Sequence, residues 1–193
     1  MMLFYQIHVP KTGGVSIRKY AEENGLMWNW SGGHRSFSER KVPKNAILVT
    51  MLRCPIKHTI SVYSFWKKHP HLQEEHSLYM APFSDWLRAE KDLIMDWPSG
   101  QWHWFPNLYV SFFGDGNFDK AVANIKSVNY VLDTTHLTEQ FNDRIVTKYK
   151  LPPFNRHENT SKSFDISKDD ADYIRKQRQA DFEICKMFGI STL

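Results

Sequence analysis

AILVTMLRCPIKHTISVYSFW, residues 46–66, decides the fold. Ala46–Leu52 is a continuous apolar run broken only by Thr50. It is too short for a helix and lacks the alternation of a half-exposed strand, so it reads as a strand buried on both faces, the pattern of parallel sheets. Directly after it come Arg53 and then Pro55, a residue tolerated in a first helical turn. Ile56, Ile60, Tyr63 and Trp66 follow at helical spacing. The unit is strand, cation, helix.

The N-terminal segment repeats that order. Leu3–Val9 reads as a short buried strand, Pro10–Gly14 as a turn carrying Lys11, and Ser16 as the cap of a helix reaching about Asn24. Residues 29–45 read as a polar, turn-rich connection with a short helix at Phe37–Lys41, and residues 69–82 as an irregular one. Helices are expected over Phe83–Lys91, Trp104–Phe112, Phe118–Lys126 and Leu137–Lys148, and a strand over Tyr130–Asp133. Leu151–Phe164 is an extended polar loop, after which Ser167 caps a long last helix to about Met187, with Asp169 and Asp170 in its first turn. Strands alternating with helices predict an α/β single domain over residues 1–193, with a central parallel sheet flanked by helices.

Composition narrows the partners. The chain is 41% hydrophobic, enough for a real core at this length. A net charge of +4 suits an anionic ligand, but the basic residues are interleaved with acids rather than gathered into a stripe. Nucleic acid is therefore not expected as the main partner. Cys54 and Cys185 have neither metal-ligand nor disulfide-framework spacing. The apolar run at the start is too short for a signal peptide, and nothing approaches the ~20 apolar residues of a membrane span. The expectation is a cytoplasmic protein without a transmembrane segment.

Ligands of parallel sheets bind beyond the carboxyl ends of the strands, and two strands here end in a cation followed by a helix start. Helix N-termini present unpaired N–H groups and partial positive charge, so each junction is an anion cradle. The order of residues in PKTGG excludes the common NTPase loop, in which lysine follows the last glycine. No aspartate stands after a strand in the place expected for holding Mg²⁺.

HVPKTGGVSI (residues 8–17) followed by LVTMLRCPIKHTISVYSFW (48–66) resembles the 5′-phosphosulfate loop and 3′-phosphate motif of sulfotransferases that use 3′-phosphoadenosine-5′-phosphosulfate (PAPS). The most similar group is the carbohydrate sulfotransferases related to the uronyl 2-O-sulfotransferases and their bacterial and viral relatives. Lys11, Thr12, Gly13, Gly14, Ser16, Arg53, Pro55, Ser61 and Tyr63 match the motifs, and LTEQF (137–141) and HENTSKS (157–163) resemble the late helix and N-x-S loop. Val15 replaces the usual threonine, Cys54 the usual Asn or Asp, and His58 stands where arginine is frequent; the last change is expected to weaken nucleotide affinity or make it pH-dependent.

The resemblance implies a P-loop-like sulfotransferase fold and transfer of a sulfuryl group from PAPS to a hydroxyl of a carbohydrate, releasing adenosine 3′,5′-bisphosphate, with no metal required. Lys11 stabilises the leaving group, and backbone N–H groups of Thr12, Gly13, Gly14, Val15 and Ser16 hold the phosphosulfate. Arg53, Ser61 and Ser161 hold the nucleotide, with Arg53 as a fork on the 3′-phosphate. His34, in the loop between the motifs, is the expected general base. Trp97, Trp102 and Trp104, around Gln101 and His103, are either a stacking surface for a sugar ring or core cover. Two other classes stand beside this one: an atypical P-loop-like kinase and a non-catalytic nucleotide-binding module. Acceptor identity and oligomeric state are not encoded in these motifs.

Overall fold

A computed structural model describes residues 2–30, 36–68, 81–89, 107–155 and 164–192. Its described strands are β1 (Phe4–Ile7), β2 (Trp28–Trp30), β3 (Ile47–Leu52) and β4 (Tyr130–Asp133). They form one sheet in the order β2-β1-β3-β4, every pair parallel. Phe4 faces Ile47 and Ile7 faces Thr50 across β1 and β3, while Leu52 faces Asp133 across β3 and β4. The chain leaves β1 toward one side to build β2 and toward the other to build β3 and β4. The carboxyl ends of β1 and β3 therefore flank the topological switch of the sheet, the position at which open parallel sheets bind ligands.

Helices cover both faces. On one face Tyr5, Ile7 and Leu52 pack with Tyr109 and Phe113 of α4 (Leu108–Gly114), Ile125 of α5 (Phe118–Lys126) and Ile184 of α9 (Gln179–Met187). On the other, Phe4, Val49, Met51 and Leu132 pack with Ile17 and Tyr20 of α1 (Gly14–Glu23) and with Leu137 and Phe141 of α6 (Leu137–Phe141). Alternate strand residues thus meet opposite cores, which is why the strands read as continuous apolar runs. A third cluster joins α2 (Pro55–Lys68), α3 (Phe83–Ala89) and α8 (Lys168–Gln177) through Val62, Trp86, Leu87 and Ile174. The architecture is the expected single α/β domain.

Several expectations shift. The first helix begins at Gly14, not at a Ser16 cap, because Gly13 turns the chain with φ +84° and Ser16 is already inside the helix, its N–H donating to Gly13 O at 3.1 Å. Trp28–Trp30 is a short edge strand that overlaps the start of the polar connection read over residues 29–45, held by pairing with β1. Residues 36–41 form turns rather than a helix, through Glu39 N–H to Ser36 O and Arg40 N–H to Phe37 O. The helix placed at Trp104–Phe112 is seen as Leu108–Gly114, residues 101–106 lying outside the described part. The helix expected from Leu137 is interrupted by a π turn over Asn142–Val146 and resumes as α7 (Thr147–Tyr149). Ser167 does cap α8, its hydroxyl accepting the Asp170 N–H at 3.1 Å. The last long helix, however, breaks at Arg178 into α8 and α9. Among the described residues no helix is long and apolar enough to cross a membrane.

Candidate anion site at the switch of the sheet

The loop after β1 is built by two left-handed residues. Lys11 has φ +60° and Gly13 φ +84°, and the first is uncommon for a residue with a side chain. Thr12 between them is fully buried, its hydroxyl donating to Val9 O at 2.7 Å. Gly14 lies where α1 touches β1: a Cβ there would sit 2.2 Å from His8 Nδ1 and 2.4 Å from Gln6 Nε2, both side chains being buried. Glycine at 14 lets the helix start close over the strand, which aims the first amides of α1 past the strand end.

The loop after β3 meets it. The Arg53 guanidinium donates through Nη1 to Lys11 O at 3.2 Å. Tyr109 brackets the Arg53 backbone, its hydroxyl accepting the Arg53 N–H at 2.9 Å and donating to Arg53 O at 2.5 Å. Thr134, just past β4, places its hydroxyl 2.8 Å from Leu52 O and 3.3 Å from Thr12 O, so the ends of β3 and β4 and the lysine loop are tied together. The sheet brings Lys11 and Arg53, 42 residues apart in the chain, into one cluster.

That cluster is strongly positive. Lys11 Nζ lies 4.4 Å from the centroid of the Phe65 ring, a cation–π contact from α2. Burial, and then the charges of Arg53 and Lys68, lower the Lys11 amine from its ordinary 10.5 to about 8. Burial likewise pulls Arg53 downward. Like charges held together in a partly desolvated place are a standing cost to the fold, and an anion between them relieves it.

The other expected site residues fall as follows. Val15 and Ser16 lie in the first turn of α1; the Ser16 N–H is the one engaged with Gly13 O. Ser61 is buried on α2. His34, Ser161, Trp97, Trp102 and Trp104 lie outside the described residues. His58 is 1% exposed, with Nε2 3.0 Å from Pro10 O and Nδ1 3.1 Å from Arg178 Nη1. Burial first, and then the Arg178 charge, push its pKa well below the usual histidine value. The His58 ring is thus held neutral, and among the described residues of the site it is the Lys11 amine that is brought toward neutral pH.

Phe65, Lys68, Tyr109 and Arg178 belong to this neighbourhood without a signal in the motifs; only their placement on α2, α4 and the α8–α9 break reveals them. Asp133 is the last residue of β4. Its oxygens accept the N–H groups of Thr135 and Ser191, each at 2.7 Å, so it is a backbone cap. A separate cleft of about 590 Å³ opens beside the end of β4, lined by His136, Gln179, Phe182, Glu183 and Lys186. Among the described residues no group of three or more His, Cys, Asp or Glu is gathered to hold a metal. Protein-family models give no match to this chain, and the curated proteins give none either.

Proposed function

We propose that the chain is a sulfotransferase of P-loop-like fold that moves a sulfuryl group from PAPS to a hydroxyl, a carbohydrate hydroxyl by the motif resemblance. The observation that carries this is the contact of the two cation-bearing loops at the switch of an all-parallel sheet, Arg53 Nη1 to Lys11 O at 3.2 Å. A donor with two separated anionic groups, a phosphosulfate and a 3′-phosphate, matches two adjacent cations on neighbouring strands, which lie about 5 Å apart. A nucleotide with a single phosphate chain uses only one of them.

In this reading the Lys11 amine and the loop amides hold the 5′-phosphosulfate, and Arg53 holds the 3′-phosphate. The acceptor oxygen forms a bond to sulfur as the bond from sulfur to the phosphate oxygen breaks, in line, as in phosphoryl transfer. The acceptor proton passes to a base, for which His34 is the candidate. The leaving bisphosphate gains charge beside Lys11, whose ammonium is fixed there by Phe65 and the loop before the reaction begins.

The test is the thermal shift with adenosine 3′,5′-bisphosphate against ADP, followed by turnover of labelled PAPS over a panel of sugars. The bisphosphate is expected to stabilise by ~2.7 kcal/mol at 100 times Kd and ADP by much less. Arg53→Ala should erase most of that difference. Equal shifts from both nucleotides refute the 3′-phosphate site. Selective binding without turnover on any acceptor assigns a binding module instead. In the enzyme, Lys11→Ala should lower kcat more than nucleotide affinity, and His34→Ala should lower kcat by ~10²–10⁴-fold.

A further inference from the structure

A buried ion pair lies behind the anion site and is used by none of the steps above. Arg178 interrupts the C-terminal helices with φ −119° and ψ 30°. Its guanidinium bonds Asp181 Oδ2 through Nε at 3.0 Å and Nη2 at 2.7 Å, with the Asp181 carboxylate fully buried. Nη1 faces Pro55 O at 3.1 Å, Thr59 Oγ1 at 3.2 Å and His58 Nδ1 at 3.1 Å. Removing two charges from water in this way is costly, and a well-packed apolar pair is often as stable, so the pair calls for a role beyond stability.

The hydrogen bonds state that role. An arginine only donates, so His58 Nδ1 must accept and carries no proton. A carbonyl only accepts, so the proton lies on Nε2 and is donated to Pro10 O. The tautomer is dictated from both sides, and its product is a fixed carbonyl in the residue before Lys11. The same ion pair reaches the second cation: Asp181 Oδ1 accepts the Tyr109 N–H at 2.8 Å, and the Tyr109 hydroxyl brackets the backbone of Arg53. One ion pair is thus forked to the two loops that carry Lys11 and Arg53.

We infer that Arg178 is a positioning residue of the anion site: acting through the Nε2–H tautomer of His58 it holds the Pro10–Lys11 turn, and with Asp181 it holds Tyr109 against Arg53. The α8–α9 break is therefore part of the site, although it lies more than 120 residues away in sequence. The nucleotide identity used below rests on the function proposed above; the positioning itself does not.

The test keeps the ion pair and changes the relay. A glutamine amide both donates to a carbonyl and accepts from a guanidinium, whereas leucine does neither. His58→Gln is expected to bind adenosine 3′,5′-bisphosphate within about threefold of the wild type, and His58→Leu to lose about tenfold or more. In the His58→Leu background, adding Arg178→Met with Asp181→Asn should weaken binding by about threefold or more further, since it releases the second branch, through Tyr109 to Arg53, that His58→Leu leaves in place. Nitrogen-detected spectra of the wild type should show His58 as the Nε2–H tautomer without titration between about pH 5.5 and 8.5. Amide exchange over residues 11–14 should accelerate in His58→Leu and stay near the wild-type rate in His58→Gln. Should the wild type fail to bind the bisphosphate, the sulfotransferase reading falls, and the tautomer and exchange measurements alone decide the positioning. A His58 that titrates in that range, or unchanged exchange at 11–14 in His58→Leu, overturns the inference.

Discussion

Replacing Lys11 by methionine should make the protein more stable near pH 7 while weakening its affinity for anions. The wild-type amine is held against Phe65 and beside Arg53 and Lys68, and its proton is released at about 8 rather than 10.5. The folded state therefore binds this proton less tightly than the unfolded chain does. Stability drawn from the residue is lowest below about pH 8, where Lys11 is charged in both states, and rises with pH between about 8 and 10.5, where the unfolded chain still holds a proton that the folded one has lost. A difference of that size is worth roughly 3 kcal/mol at face value. Solvent screening of a side chain that is not fully enclosed reduces it, leaving about 1–2 kcal/mol. Methionine keeps the apolar stem against the ring and discards the charge. For a chain of this length the gain corresponds to a rise in Tm of about 3–6 °C near pH 7. Scanning calorimetry in a buffer free of sulfate and phosphate, repeated at several pH values up to about 10, reads it directly; added anions stabilise the wild type and mask the effect. The gain should shrink steadily above pH 8. A Lys11→Met protein less stable than the wild type near pH 7, or a difference that is constant with pH, refutes the reading of Lys11 as a destabilising charge maintained for binding.

Three further outcomes follow from the same geometry. Affinity for adenosine 3′,5′-bisphosphate, measured by calorimetry, should fall about fivefold to tenfold between pH 7 and 9 as Lys11 passes from mostly charged to about one-tenth charged, and Lys11→Arg should flatten that dependence. Gly14→Ala should destabilise by ~1–3 kcal/mol in denaturant titration, because its methyl group enters the space of the buried His8 and Gln6 side chains; Gly25→Ala, with nothing within 4 Å, meets only the strain of φ +59° and should lose less. Tyr109→Phe deprives the Arg53 N–H of its acceptor and should cost about 1–3 kcal/mol in the same titration, with a loss of nucleotide affinity that Arg53→Ala does not deepen in proportion.

The parallel α/β architecture and the two cation-bearing junctions are legible in the sequence because their signals are local. Ala46–Leu52 is apolar on every residue but one since the sheet is covered on both faces, and PKTGG declares a turn through residue types that tolerate it. The same locality explains the limits. Trp28–Trp30 becomes a strand only because β1 offers it an edge, and Ser16 loses its cap position to Gly13, whose left-handed φ turns the chain so that Gly14 starts the helix close against His8 and Gln6. Nothing in residues 168–187 announces that a long helix breaks at Arg178, since its guanidinium is held there by groups on α2 as well as by Asp181. The low amine of Lys11 has the same origin: a lysine in a turn is ordinarily solvated, and only the arrival of Phe65, Arg53 and Lys68 from other elements buries it and sets positive charge beside it. Patterns of apolar spacing and turn chemistry are written along the chain. Desolvation, charge proximity and the tautomer of His58 depend on distances between segments far apart in sequence, and the folded sheet alone sets those distances.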